Sequence, residues 1–137
     1  IGDYYIAHGD PAGAQAKMIE LSKRYKDEQY AWVGKAIRAG VKIGAGSDFG
    51  GYSQEINAGE IAALNRAGMT PMQAIQAATR VGAELLGWEN RIGTVEPGKL
   101  ADLVAVPGDP LADLGLLAHP SFVMVGGRRV PLDLARP

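Results

Sequence analysis

The chain has 137 residues, 47% hydrophobic and 21% charged, with a formal net charge of −1 and no cysteine. This balance is typical of a folded, soluble protein large enough to bury a core, and the near-neutral charge argues against binding nucleic acid through its phosphates. The lack of cysteine excludes disulfide scaffolds, thiolate zinc sites and cysteine nucleophiles. No apolar run reaches the roughly 18 residues that a membrane-spanning helix needs.

The start of the chain shows no signal peptide, and its first residue is Ile rather than Met. We therefore expect the chain to begin inside a longer polypeptide, and the sequence favours the cytoplasm without establishing it. Residues 15–39 carry apolar side chains at helical spacing and predict one long amphipathic helix, or two joined near residues 26–29. Gly40 is the expected stop of this helix.

The next segment, residues 41–47, is short and apolar and predicts a strand. It lacks the polar alternation of a half-exposed strand, so we expect burial on both faces, as in a parallel sheet. Two helices follow. Asn57 and Glu60 have the spacing of a capping box, and Thr70 and Gln73 repeat that signal before a helical pattern that stops at Gly87.

After residue 88 the pattern changes to short apolar runs separated by turn residues, which predicts a small β unit. The part before it contains one predicted strand, residues 41–47, and a parallel strand needs parallel partners. No second convincing strand precedes residue 91, so either another polypeptide segment supplies the partners or the strand prediction is wrong. The predicted β segments are residues 91–95, 101–106, 122–125 and 129–130, with a tight turn at Gly126-Gly127.

These segments resemble the amidohydrolase superfamily, in the order in which that superfamily has them. The run Ala45–Gly50 resembles the small–Gly–Ser/Thr–Asp stretch that closes the eighth barrel strand, and residues 57–79 resemble the two helices after it. Gly93–Val104 resembles the motif G-x-I-x-P-G-K-x-A-D-L-V, where a C-terminal β-sandwich begins. The motifs are most similar to those of the imidazolonepropionase-like group, which includes Xaa-Pro dipeptidase-like amide hydrolases.

The resemblance implies an α/β fold: the C-terminal part of a (β/α)8 TIM-type barrel and part of a small β-sandwich. Residues 1–90 would form the last barrel strand and helices, and residues 91–137 would form part of a composite β-sandwich domain. The partner of this segment would be the rest of the same enzyme, with its N-terminal barrel strands. Neither nucleic acid nor a membrane is expected as a partner, and homo-oligomerisation stays open.

Asp48 comes directly after the one predicted barrel strand, at the end where barrels place catalytic groups. The resemblance implies that Asp48 is a catalytic residue and binds a divalent metal, expected to be zinc, where it handles the proton of metal-bound hydroxide. The alternative is that Asp48 caps the following turn or helix. Tyr52, Gln54 and Glu55 either line the rim of the substrate pocket or belong to a solvated loop.

The histidine count departs from the superfamily, which uses a His-x-His pair and two further histidines. This sequence has only His8 and His119. We expect both on the surface or in loops, although the position of His8 also allows it to approach the mouth of the site. Catalytic zinc takes about three protein ligands, so Asp48 alone cannot hold it. The other ligands are expected upstream, and the chain by itself is expected to be inactive.

Two residues of the β-unit motif have simpler interpretations. Lys99 is interpreted as a turn residue and Asp102 as a local hydrogen-bond acceptor. The resemblance implies a metal-dependent hydrolase of C–N bonds that acts on a small amide, peptide or cyclic amide. Two alternatives stay open, a ring aminohydrolase (deaminase) of the same superfamily and a non-catalytic folding or binding module.

Overall fold

A computed structural model describes residues 16–47 and 56–132. Within these ranges the chain is mixed, with helices in the first part and a small antiparallel sheet in the last. None of the described helices is long and apolar enough to cross a membrane. The elements are α1 (Ala16–Arg38), α2 (Ile56–Arg66), α3 (Pro71–Ala77), α4 (Arg80–Leu85), β1 (Leu103–Ala105), a 3-10 helix (Leu114–Ala118), β2 (Phe122–Val125) and β3 (Arg128–Val130).

The helix α1 runs without a break through residues 26–29, so of the two alternatives that the sequence left open the structure has the single long helix, and it stops at Gly40 as expected. Gly40 has φ +74°, and its N–H and that of Val41 bond back to carbonyls in the last turn. Gly34 of α1 is buried, and a Cβ added there would lie 2.8 Å from the carbonyl oxygen of Ala67, the residue directly after α2. A larger residue at position 34 would therefore collide with the backbone at the end of α2.

The start of α3 confirms the predicted capping box. The N–H of Gln73 donates to Oγ1 of Thr70 at 3.2 Å, and the N–H of Thr70 donates to Oε1 of Gln73 at 2.8 Å. The continuous helix expected up to Gly87 is wrong, because Thr79 separates α3 from α4. Its φ of −125° and ψ of −96° leave the helical region, and its hydroxyl donates back to the carbonyl of Ile75 at 2.9 Å.

The sheet has the order β1-β2-β3, with both pairs antiparallel. Strand β2 has the bounds that the sequence predicts, whereas β1 and β3 differ by one to a few residues. Gly126 and Gly127 form the two-residue connection with φ +56° and +78°, the left-handed pair that a type I′ hairpin requires. The two glycines therefore determine the β2–β3 register, in which Val125 pairs with Arg128.

The predicted strand at residues 91–95 is wrong. The N–H groups of Arg91 and Ile92 bond to the carbonyl of Trp88 at 2.8 and 3.0 Å, so the chain turns at the end of α4 instead of extending. Gly93 follows with φ +95°, a left-handed conformation that interrupts any strand. The β-forming side chains around it therefore occupy a turn that packs on α4.

The interior of the described part is built from small residues. Its buried hydrophobic residues are all alanines, at positions 67, 74, 77 and 83. Several large apolar side chains lie outward, with Trp32 65% exposed, Leu86 70% and Val95 85%, while others such as Leu64 and Phe122 are only partly buried. The substantial core that the composition suggests is therefore absent from these two ranges, whose helices pack through glycine and alanine at short distance.

Candidate functional site

The four residues predicted to form the site, Asp48, Tyr52, Gln54 and Glu55, lie outside the described residues, as does His8. The described part contains the segment before them, residues 41–47, and the helix after them, α2. His119 is exposed at the end of the 3-10 helix, where the sequence placed it on the surface. The structure therefore describes the two segments that flank the candidate site, residues 41–47 before it and α2 after it.

Residues 41–47 run from the end of α1 towards Asp48. The strand predicted here is not formed within the described part of the chain, which offers no neighbouring strand with which it could pair. The N–H of Ala45 instead donates to the carbonyl of Ala77 in α3 at 3.0 Å. A Cβ added at Gly44 would lie 2.7 Å from Cδ1 of Leu85 and 3.7 Å from the carbonyl oxygen of Ala77. The segment is thus held close against α3 and α4.

An ion pair holds the beginning of the same segment. Nζ of Lys42 lies 2.8 Å from Oε2 of Glu84, and Nη1 of Arg80 lies 2.6 Å from Oε1 of the same carboxylate. The hydrogen bond from Lys42, followed by that from Arg80, keeps the pKa of Glu84 below its ordinary value, although partial desolvation opposes the effect. The carboxylate of Glu84 therefore stays ionised and links segment 41–47 to α4.

The end of the segment is joined to α2. The hydroxyl of Ser47 donates a hydrogen bond to Oδ1 of Asn57. The capping box predicted for Asn57 and Glu60 is wrong, because Asn57 lies in the first turn of α2, which begins at Ile56. Sequence reasoning missed this contact. No local signal could have found it, because the contact depends on how α2 is placed relative to residues 41–47.

The described residues do not fit a metal ion by themselves. Within these ranges no group of three His, Cys, Asp or Glu side chains comes together. Glu84, the acid that pairs with Lys42 of segment 41–47, already binds two cationic side chains. A metal-binding role of this chain would therefore depend on residues outside the described ranges, including Asp48.

In the β-unit motif, Lys99 closes a turn, as the sequence predicts. Asp102 is a hydrogen-bond acceptor, but the prediction that its partner is local is wrong, because the donor lies 24 residues further along the chain. Nζ of Lys99 donates to Oγ1 of Thr94 and lies 3.3 Å from the carboxylate of Glu96, which closes the turn between them. Oδ1 of Asp102 accepts the N–H of Gly126 at 2.6 Å. The motif therefore stabilises a turn and the β2–β3 hairpin, and these contacts give it no catalytic role.

Known proteins that are similar to this chain in sequence include a protein family and individual relatives. The model of the amidohydrolase family matches residues 3–130. An uncharacterised protein of Mycobacterium tuberculosis (strain H37Rv) is 36% identical over 104 residues, which cover 72% of this chain and 26% of that protein. A 5-methylthioadenosine/S-adenosylhomocysteine deaminase of Caldanaerobacter subterraneus is 31% identical over 87 residues, 56% of this chain and 20% of that enzyme.

Solved structures agree with the sequence comparison. A crystal structure of a Xaa-Pro dipeptidase with methionine bound in its active site has a TM-score of 0.70 and 39% identity, over 74% of this chain and 25% of that one. The chain thus spans about a quarter of the length of the proteins that it matches.

Proposed function

Because this chain belongs to the amidohydrolase family, we propose that it is the C-terminal part of a metal-dependent hydrolase that cleaves C–N bonds in small amides or peptides. One observation carries the proposal: the family model matches almost the whole chain, residues 3–130. The match includes both segments that flank Asp48, which are residues 41–47 and α2. The likeness to a Xaa-Pro dipeptidase favours peptide or amide substrates.

The proposal also explains why the described part lacks a large core. Residues 1–90 are proposed to contribute the last strand and helices of a barrel, and residues 91–137 to contribute part of a composite β-sandwich. The rest of the enzyme would then cover apolar side chains such as Val41, which is 56% exposed, and Val95. It would also provide neighbouring strands for residues 41–47, because a parallel strand needs such partners.

Within this proposal Asp48 is the catalytic carboxylate and one ligand of a divalent metal, expected to be zinc. The metal would supply Lewis-acid chemistry, and its other ligands would come from outside the described residues. The Asp48 carboxylate is proposed to take a proton from the attacking water and to deliver it to the leaving nitrogen, which is general acid–base catalysis. Tyr52, Gln54 and Glu55 are proposed to line the substrate pocket.

The experiment replaces Asp48 in the intact protein that carries this chain. Asp48→Ala is expected to lower turnover of Xaa-Pro dipeptides or N-acyl amino acids by at least about 100-fold, the usual loss when a general acid–base group is removed. The matched control is Asp27→Asn, which neutralises a carboxylate exposed on α1 and is expected to keep normal turnover. Release of free amino acid is the measurement. Full activity of Asp48→Ala would contradict the assignment.

A ring aminohydrolase is the second candidate function, favoured by the 31% identity to a deaminase. The two candidates release different products, because a deaminase frees ammonia from a ring and keeps the carbon skeleton whole. Assaying ammonia with amino-substituted purine nucleosides, beside amino acid release from dipeptides, separates them. If the intact protein turns over neither kind of substrate, the result would favour a non-catalytic module.

A further inference from the structure

Three contacts hold residues 41–47 to the helices that follow. Lys42 pairs with Glu84, the N–H of Ala45 bonds to the carbonyl of Ala77, and the hydroxyl of Ser47 bonds to Asn57. The first two reach α4 and the end of α3. The third reaches α2 and is the contact nearest in sequence to Asp48. The segment is thus held in place by contacts that extend from Lys42 to Ser47.

The Ser47–Asn57 contact differs from the other two because of what lies between its residues. It joins the two ends of residues 48–56, which contain all four predicted site residues. One hydrogen bond contributes about 0.5–1.5 kcal/mol to holding its two partners together. This contact therefore limits how far the chain on either side of the predicted site can separate.

We propose that Ser47 and Asn57 form a positioning pair for the reaction, in which the hydrogen bond between them holds the backbone before Asp48 at a set distance from α2. The inference rests on the proposed function, since it concerns the carboxylate that function uses. Neither side chain is proposed to touch the substrate. Catalysis depends on placement, and a displacement of about 1 Å can cost about 100-fold in rate.

A second asparagine in α2 provides a matched control. Nδ2 of Asn65 donates to the carbonyl of Met69 at 2.7 Å, so Asn65→Ala also removes one asparagine hydrogen bond from the same helix. That bond lies at the opposite end of α2 from Asn57. A general loss of helix stability would affect both variants alike, whereas a positioning role predicts an effect of Asn57→Ala alone.

Hydrogen–deuterium exchange of the intact protein tests the contact without any substrate. In Ser47→Ala and Asn57→Ala, the amide of Ala45, which is bonded to the carbonyl of Ala77, and the amides of the second turn of α2 are expected to exchange about 2- to 10-fold faster, the range that the net loss of one hydrogen bond allows. Ser47→Thr keeps the hydroxyl and is expected to exchange like the parent protein. Unchanged exchange in both alanine variants would overturn the inference.

Kinetics then separates positioning from structure. Ser47→Ala and Asn57→Ala are expected to lower kcat about 10-fold or more with KM within about twofold, and Ser47→Thr is expected to restore kcat, while Asn65→Ala keeps it. If Asp48→Ala is inactive and the pair variants match Asn65→Ala in kcat, the pair has no positioning role although the proposed function stands. If Asp48→Ala is fully active, the proposed function itself fails.

Discussion

Gly93 lies where the chain turns from α4 into the β unit, and replacing it with alanine is a stringent test of this junction. A Cβ at Gly93 would lie 2.6 Å from Cβ of Ala83, 3.1 Å from the carbonyl oxygen of Thr79 and 3.2 Å from Cα of Arg80. Two of these atoms are backbone and the third belongs to a residue only 3% exposed, so none can rotate away. The φ of +95° adds conformational strain for any residue with a Cβ.

The expected cost of Gly93→Ala follows from these two effects. A left-handed conformation costs a non-glycine residue about 1–2 kcal/mol. Inserting a methyl group into a closely packed site costs about 1–3 kcal/mol more. We therefore expect the variant to lower the free energy of unfolding by about 2–5 kcal/mol, measured by urea denaturation at 25 °C with tryptophan fluorescence.

Gly98→Ala is the control that isolates the conformational effect. Gly98 has a similar φ of +89°, but a Cβ there would meet nothing within 4 Å. Gly98→Ala should therefore lower the free energy of unfolding by only about 1–2 kcal/mol. The difference between the two variants measures the steric clash, and adding Ala83→Gly to Gly93→Ala should recover part of it. Equal losses for Gly93→Ala and Gly98→Ala would refute the close packing of this junction.

Two further predictions concern polar contacts. Asp102→Ala removes the acceptor for the N–H of Gly126 and is expected to lower the free energy of unfolding by about 1 kcal/mol. Asp102→Asn keeps an acceptor oxygen and is expected to lose much less stability. Equal losses for the two variants in urea denaturation would contradict the contact. Glu84 has a lowered pKa, so the stability from its pairing with Lys42 is present above pH 4.5, its ordinary pKa, and is lost as the pH falls towards the folded-state pKa. Glu84→Gln should remove this part of the acid dependence in melts across that range, and an unaltered pH profile would be evidence against it.

Local signals in the sequence were sufficient for several elements. The apolar spacing predicts α1 within about one residue at each end, because a long periodic run leaves few alternatives. Thr70 and Gln73 predict the start of α3, since both hydrogen bonds of a capping box lie within four residues. The Gly126-Gly127 pair predicts the hairpin for the same reason.

Other features depend on contacts that are remote in sequence. The break at Thr79 is one such case, because helical spacing on both sides gives no sign that its hydroxyl bonds back to Ile75. The turn at residues 91–95 is another, since Ile92 and Val95 favour a strand and only packing on α4 selects the left-handed Gly93. Residues 41–47 have the composition of a buried strand, but strand pairing needs a neighbour that the described part of the chain does not supply.

The candidate site shows the same division. Asp48 is nominated because residues 45–50 and the motifs after them resemble those of the amidohydrolase superfamily, whereas its spacing alone also fits a helix or turn cap. The Ser47–Asn57 contact could not be predicted, because a hydrogen bond across residues 48–56 depends on how α2 is placed relative to segment 41–47. A local pattern can therefore nominate a carboxylate but cannot identify the residues that orient it.

The alanine interior has a thermodynamic consequence. The heat capacity of unfolding grows with the apolar area that becomes hydrated, and a methyl group contributes little of it. The fully buried hydrophobic residues, Ala67, Ala74, Ala77 and Ala83, therefore add little curvature to the dependence of stability on temperature. Most of the curvature must come from larger apolar side chains, both those already partly buried, such as Leu64 and Phe122, and those such as Leu86 and Val95 once other parts of the protein cover them.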